Sequence, residues 1–243
     1  MSNGSGIRWR DFRVKTSRPE FGASSASGPP GARPSGLPKF SPHKSVQGFS
    51  GSVKRLSDVI VAAAAFVILS PVLALIALAV RMTDGGAVLY RQTRVGLNGR
   101  WFTILKFRTM REQAERDLGP IWSVPRDPRC TRIGYYLRRS GLDELPQLWN
   151  VLRGDMSLVG PRPERPEFTL KFSKEYPDYH QRHSVRGGLT GYAQIHGWRG
   201  YTSLEERLRH DLHYVRHWSV RLDLYILLMT VTRGWSERTR PGV

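Results

Sequence analysis

The sequence of 243 residues predicts an α/β fold, mostly helical with a small β-hairpin or sheet. It predicts a monotopic membrane protein, in which a re-entrant, Ser-Pro-broken helix packs with a globular domain on the cytoplasmic side. Three observations lead there. The run Val59–Val80 carries no charge and is broken at its middle by Ser70-Pro71. Two short extended segments, Ala87–Val95 and Arg100–Phe107, flank a turn at Leu97-Asn98-Gly99. Leu204, Leu208, Leu212 and Val215 recur at helical spacing and share one face.

Composition narrows the classes. Lys plus Arg is 38 against 20 Asp plus Glu, a net charge of +18. With hydrophobic residues at 40%, the chain is too polar for a polytopic membrane protein. Its 7 Trp, 9 Tyr and 9 Phe are too many for a fully disordered one. The single cysteine, Cys130, excludes an intramolecular disulfide framework and any zinc site needing several cysteines, and fits a reducing cytoplasm. The basic excess points to an anionic partner: nucleic acid, an anionic membrane surface or a phosphorylated substrate.

Taken in order, residues 1–50 read as a disordered basic tail. Prolines stand at 29, 30, 34, 38 and 42 among Ser, Gly and Ala, and eight Lys/Arg face only Asp11 and Glu20. Such a tail could lie on anionic lipid headgroups. Residues 51–82 read as the membrane hairpin. An unbroken helix over Val59–Val80 would reach ~33 Å at ~1.5 Å per residue, enough for a bilayer core. Pro71 removes a backbone donor, however, and neither arm can span alone. Lys54 and Arg55 precede the run, while Arg81, Arg91 and Arg94 follow it. Basic flanks on both sides favour a hairpin with both ends cytoplasmic over a kinked span or a buried helix. At the break, Ser70 can satisfy a freed carbonyl.

Residues 83–235 read as the cytoplasmic domain and 236–243 as a flexible end. Beyond the extended pair, Arg111–Asp117 reads as helical and Gln113–Pro128 as loop around Gly119-Pro120 and Asp127-Pro128. Thr131–Arg139 and Leu145–Leu152 have helical spacing, with Pro146 tolerable in a first turn. Gly187–Gly191 reads as a turn-rich loop, Ser203–His217 as a helix, and Leu222–Val231 as a core or interfacial helix too short to span.

Several stretches can carry chemistry. Asp143-Glu144 follows Arg138-Arg139 by a few residues. The pair either complements a helix dipole or stays ionised beside cations, to hold Mg2+ or to attack phosphorus. In residues 159–168, VGPRPERPEF, Pro161, Pro163 and Pro166 stiffen a loop that presents Arg162 and Arg165. This is either a rigid connector or a phosphate clamp. Lys106 and Arg108 have the same strand parity, so they would share a face. Arg199 lies between glycines in GWRG. His210, His213 and His217 interleave with core leucines and carry no metal spacing. No GxxxxGK[ST], GxGxxG, zinc-finger or RNP pattern is present, which counts against nucleic acid.

These stretches together resemble a known family. KRLSDVIVAAAAFVILSPVLALIAL, YRQTRVGLNGRWFTILKFRTM, LRRSGLDELPQLWNVLRGDMSLVGPRPE, GLTGYAQIHGWRG and DLHYVRHWSVRLDLYILLMT occur in the order found in the bacterial monotopic phosphoglycosyl transferases. The chain resembles their small form over about residues 53–235. That resemblance implies transfer of a sugar-1-phosphate, a hexose on the hint of Trp198, from a UDP-sugar to polyprenyl (undecaprenyl) phosphate with release of UMP. It implies Mg2+ at Asp143 and Glu144, with Asp143 as nucleophile through a phosphosugar–aspartyl intermediate and Glu144 assisting. Arg138 and Arg162 would hold donor phosphates, Lys106 and Arg199 would be accessory contacts, and Arg108 is a further substrate-binding candidate. Pro161-Arg162-Pro163 would be the nucleotide-facing loop and Ser70-Pro71 the break in the membrane helix. The setting would be the bacterial inner membrane, with both termini cytoplasmic and anionic lipids as neighbours. Gly141 departs from the family, which often has Ser or Thr there. A homodimer is compatible with the sequence, though no residue demands it. The competing reading is a non-catalytic basic protein that binds a membrane surface or nucleic acid.

Overall fold

The computed structural model describes residues 29–33, 43, 47–111, 114, 127–200 and 202–238. Helix α1 (Gly48–Ile68) and helix α2 (Ser70–Asp84) meet at Leu69 with a bend of 62°. The cause is chemical. Pro71 has no N–H to give the Val67 carbonyl, and the Ser70 hydroxyl donates to that carbonyl instead at 2.7 Å. The ladder continues on either side, from Leu69 N–H to Ala65 and from Leu73 N–H to Leu69. Gly85, with φ 71°, ends α2. Among the described residues no single helix is long and apolar enough to cross a membrane; the bent pair together has that length and composition. Val53, Leu56, Ile60, Val67, Leu75, Leu78 and Met82 leave an exposed apolar surface along it.

The flanking charges have a different role from the one expected. Arg55 donates to the Val151 and Leu152 carbonyls at 2.6 and 2.9 Å, where helix α4 (Gln147–Arg153) ends. Lys54 is buried and pairs with Asp223 at 2.7 Å. Asp58 accepts the Leu158 N–H at 3.2 Å. These groups seat α1 on the globular body and are not solvated flank charges.

Strands β1 (Leu89–Val95) and β2 (Trp101–Phe107) pair antiparallel, from Leu89 opposite Phe107 to Val95 opposite Trp101. The turn needs two residues in the left-handed region, supplied by Asn98 (φ 55°) and Gly99 (φ 72°). Part of the expected disordered tail is attached here. Gly31 N–H donates to the Trp101 carbonyl and Trp101 N–H to that of Ala32, both at 2.9 Å. Arg33 donates to the Asn98 carbonyl at 2.9 and 2.6 Å. The hairpin edge left these backbone groups unpaired, and residues 29–33 satisfy them.

Helix α3 (Arg132–Ser140) starts at Thr131, whose hydroxyl accepts the Gly134 N–H at 2.9 Å. It ends at Gly141, in the left-handed region at φ 74°. A 3-10 turn, Leu142–Glu144, leads to α4. Strand β3 (Ser157–Val159) and helix α5 (Pro166–Glu175) enclose the proline-rich loop. The expected helix over 111–117 and loop over 113–128 fall mostly outside the described residues.

The expected loop at Gly187–Gly191 is in part a strand. Strand β4 (Gly188–Thr190) pairs parallel with β3, Ser157 opposite Gly188 and Val159 opposite Thr190. The glycines permit this approach: a Cβ at Gly188 would stand 2.1 Å from the Gly160 nitrogen. Helix α6 (Tyr192–Ile195) follows, then helix α7 (Leu204–Arg216), capped by Ser203 through the Glu206 N–H. Helix α8 (Val220–Arg238) runs past the boundary expected at 235. The core joins Ala62 of α1, Ile104 of β2, Val151 of α4, Leu158 of β3, Tyr214 of α7 and Ile226 of α8.

Candidate active site

The carboxylate pair occupies the 3-10 turn between α3 and α4, facing β2 and the proline-rich loop. Gly141 permits the reversal that turns both acids inward. Glu144 is clamped. Arg162 grips it with both arms of its guanidinium, Nη1 to Oε2 at 3.0 Å and Nη2 to Oε1, and Lys106 Nζ donates to Oε1 at 2.9 Å. Burial pushes the Glu144 carboxyl up, but Arg162 and then Lys106 outweigh it and hold it well below the usual carboxylate range. Glu144 in turn holds the Arg162 guanidinium above its ordinary value.

Asp143 is in the opposite condition. It is buried, 7% exposed, and among the described residues no side chain hydrogen-bonds it or pairs with it. Burial, then the Glu144 charge, raise its carboxyl to about 6, against the pull of Lys106, Arg138 and Arg162. The pair therefore divides into one carboxylate fixed by cations and one open carboxylate within their field. Arg138 is held nearby by its Nε bond to Thr109 Oγ1 at 2.8 Å.

The loop carrying Pro161, Arg162 and Pro163 is fixed by its backbone. Arg94 Nη1 donates to the Pro163 carbonyl at 3.0 Å, Arg182 Nη2 to the Arg162 carbonyl at 2.8 Å, and Gly188 N–H to that of Pro161 at 3.0 Å. Behind it lies a buried ionic lattice. Arg182 pairs with Asp211 at 2.7 Å, and Arg207 with Glu164 at 3.1 Å. Sequence reasoning did not place Arg94, Arg182, Glu164, Arg207 or Asp211 here. One signal was available: Arg207 and Asp211 fall at i and i+4 beside Leu204, Leu208 and Val215, charged residues on an apolar face.

Of the expected residues, Lys106, Arg138 and Arg162 converge on the pair. Arg199 lines a cavity of about 260 Å3 whose wall includes Glu144. Arg108 does not join them. β2 ends at Phe107, so its alternation does not carry Arg108 to the Lys106 face. Arg108 instead turns back to pair with Asp84 at the end of α2, close over Gly86.

For a hard divalent cation the donor set is partial. No cluster of three or more His, Cys, Asp or Glu suited to a metal occurs among the described residues. Mg2+ is commonly held by one or two carboxylates with substrate phosphates and water, and the open Asp143 beside Glu144 fits that pattern.

The candidate site thus joins one open carboxylate, Asp143, one clamped carboxylate, Glu144, and three cations, Lys106, Arg138 and Arg162. Residues 49–237 match the family model described as bacterial sugar transferase, and the chain belongs to that family. It is 42% identical over 197 residues to the UDP-glucose:undecaprenyl-phosphate glucose-1-phosphate transferase of Escherichia coli (strain K12), covering 79% of this chain and 42% of that protein. It is 46% identical over 183 residues to the enzyme of the same name from Caulobacter vibrioides, covering 73% of this chain and 68% of that one. With the exopolysaccharide production protein PSS of Rhizobium leguminosarum bv. phaseoli it shares 41% identity over 195 residues, covering 77% and 96%. The chain spans less than half the length of the Escherichia coli, Klebsiella and Xanthomonas relatives.

Proposed function

We propose that this protein transfers a hexose-1-phosphate, in the first instance glucose-1-phosphate, from a UDP-sugar to polyprenyl phosphate and releases UMP, an initiating step of exopolysaccharide, capsule or O-antigen synthesis. The observation that carries the reading is the asymmetry of the pair, an open Asp143 beside a Glu144 clamped by Arg162 and Lys106. The names of the similar proteins supply the donor and acceptor classes.

The chemistry follows from the arrangement. An Asp143 oxygen attacks the sugar-linked phosphorus of the donor. A P–O bond to that oxygen forms, and the bond to the UMP phosphate oxygen breaks, leaving the sugar phosphate on Asp143. An oxygen of the polyprenyl phosphate then attacks the same phosphorus and frees the Asp143 carboxylate. An anionic nucleophile and two anionic substrates repel one another, and Lys106, Arg138 and Arg162 offset that repulsion at fixed positions. Glu144 keeps Arg162 and Lys106 aimed at the site. Mg2+, when held by Asp143 and Glu144, neutralises phosphate charge as a Lewis acid.

The acceptor's apolar tail places the reaction at a membrane. Both arms of the bent pair lie against one globular body, α1 through Ala62 and Lys54 and α2 through Ile76 and Val80. That favours a re-entrant hairpin in the bacterial inner membrane, with both ends on the cytoplasmic side beside anionic lipids. The test is UMP release by membrane-extracted protein given polyprenyl phosphate, Mg2+ and UDP-glucose, beside Asp143→Ala. Release that is lost in the variant supports the reading; equal release from both sinks it.

A further inference from the structure

The stretch ahead of α1 is tied to both supports of the loop that carries Arg162. Its described residues, 29–33 and 43, come before residue 49, where the match to the family model begins. At the mouth of the hairpin Val95 stands opposite Trp101. The backbone groups of these two residues point outward, each away from the facing strand. Those of Trp101 meet the Gly31 N–H and the Ala32 carbonyl, both at 2.9 Å, and the Val95 N–H meets the Glu164 carbonyl at 2.9 Å. The order across is residues 31–32, β2, β1 and Glu164. The N-terminal stretch and the proline-rich loop are thus the two outer strips of one hydrogen-bonded layer.

Side chains repeat the connection. Ala32 and Leu170 both pack on the buried pair Val95 and Trp101, and Leu170 belongs to α5, which leaves the loop at Pro166. Arg33 holds the turn between the strands through the Asn98 carbonyl. Further along, the His43 N–H donates to the Ser184 carbonyl at 3.1 Å, at the end of a 3-10 segment, Pro177–Ser184. That segment carries Arg182, whose Nη2 holds the Arg162 carbonyl at 2.8 Å. The hairpin carries Arg94, whose Nη1 holds the Pro163 carbonyl at 3.0 Å. The N-terminal stretch therefore binds the two elements whose arginines fix the backbone of the loop.

We propose that residues 29–33, with His43, are a positioning clamp for Arg162, so that a stretch outside the family match sets the geometry of a residue inside the site. The kinetic consequence rests on the reading of the protein as a sugar-phosphate transferase; the clamp itself does not. A cation that meets developing charge must be fixed in place, and misplacement by about 1 Å costs on the order of 100-fold in rate. The clamp is open to attack at Gly31. Its N–H is one of the two bonds to Trp101, and its φ of 91° is closed to proline, which is held near −65° and has no N–H.

The test places Gly31→Pro in the full chain, once with Arg162 intact and once with Arg162→Ala. UMP release from UDP-glucose, with polyprenyl phosphate and Mg2+, is read beside amide hydrogen exchange. With Arg162 intact, Gly31→Pro should lower kcat about 10-fold. In the Arg162→Ala background it should cost less than about 2-fold, because no guanidinium is left to misplace. A merely structural role lowers both backgrounds by the same factor, and that result overturns the inference, as does full activity of Gly31→Pro. Exchange decides independently of turnover. The Val95 and Gly188 amides, which hold the Glu164 and Pro161 carbonyls, should exchange about 10-fold faster or more in Gly31→Pro. Unchanged protection at both overturns the clamp. If Gly31→Pro does not fold, Arg33→Ala decides by the same two readouts. No UMP release by the folded full chain removes the functional reading, and the clamp then stands or falls on exchange alone.

Discussion

Arg182 holds the backbone of Arg162. Its Nη2 donates to the Arg162 carbonyl at 2.8 Å and to Asp211 Oδ2 at 2.7 Å, and its Nη1 to the Tyr179 hydroxyl at 2.6 Å. The arginine that clamps Glu144 is thus set in place by a second, fully buried arginine anchored on α7. The position of the Arg162 backbone thus depends on charges buried behind the loop.

Removing the anchor should destabilise the fold. Asp211→Ala leaves the Arg182 guanidinium buried without its counter-charge, and such losses run to about 3–5 kcal/mol. Denaturant unfolding of the purified protein should show it. A variant as stable as wild type would mean that Arg182 is satisfied without Asp211.

Asp143→Asn should make the metal-free protein more stable while abolishing transfer. The folded carboxyl is raised to about 6 from an unfolded value near 3.8. Its ionised form is disfavoured by folding, so the penalty grows as pH rises from about 4 to about 6 and is complete above that. The variant should gain roughly 3 kcal/mol at pH 7 without Mg2+ and well under about 1 kcal/mol at pH 4. Equal stability of the two proteins at both pH values would contradict the assigned shift.

Arg162→Ala leaves Glu144 held by Lys106 alone and removes a cation from the site. Turnover should fall about 100-fold or more, the scale of losing one fixed electrostatic contact in a transition state. Arg162→Lys keeps the charge but not the two-armed grip, and should recover only part of the loss. Full activity in the lysine variant would show that the fork geometry is unimportant.

Gly188→Ala should disrupt the site from below. The new Cβ would lie 2.1 Å from the Gly160 nitrogen and 2.3 Å from the Thr190 carbonyl oxygen, both backbone atoms with little room to shift. Parting β3 from β4 releases the Pro161 carbonyl and loosens the loop. A loss of about 3 kcal/mol or more is expected in thermal unfolding, with activity falling alongside. An unchanged melting temperature would refute the close approach.

Single cysteines at Ser52 and Thr83, in protein with Cys130 replaced, should both react with a membrane-impermeant thiol reagent from the cytoplasmic side. Labelling from opposite sides would rule out the hairpin.

Helices α3, α4 and α7 and the β1–β2 hairpin were legible from a periodic signal or a boundary residue, such as Ser203 before α7 or Asn98-Gly99 in the turn, and α1, α2 and α8 from their apolar runs, whereas α5 and α6 were not read. Ser70 satisfying a freed carbonyl was legible too, since the proline's missing donor names the group left over. Strand β4 was not. Three residues beginning with glycine have no alternation to read, and their pairing partner lies far away in the chain. Arg108 was misplaced because parity holds only as far as the strand does. Lys54 and Arg55 looked like membrane flanks because sequence cannot tell a solvated cation from one buried against an acid 169 positions on. Within the candidate site, the motif residues could be named in advance, whereas the lattice that aims them is tertiary.

That 169-residue separation sets the order of biogenesis. Lys54 leaves the ribosome long before Asp223 has been made. Through that interval Lys54 has Asp58 of its own helix at 3.9 Å but not Asp223. Arg55 and Asp58 can hold α1 on α4 and β3 before then, so the Lys54–Asp223 pair is the last of these contacts that synthesis allows. A chain cut short ahead of Leu222 would retain the hairpin and the carboxylate pair but not this latch.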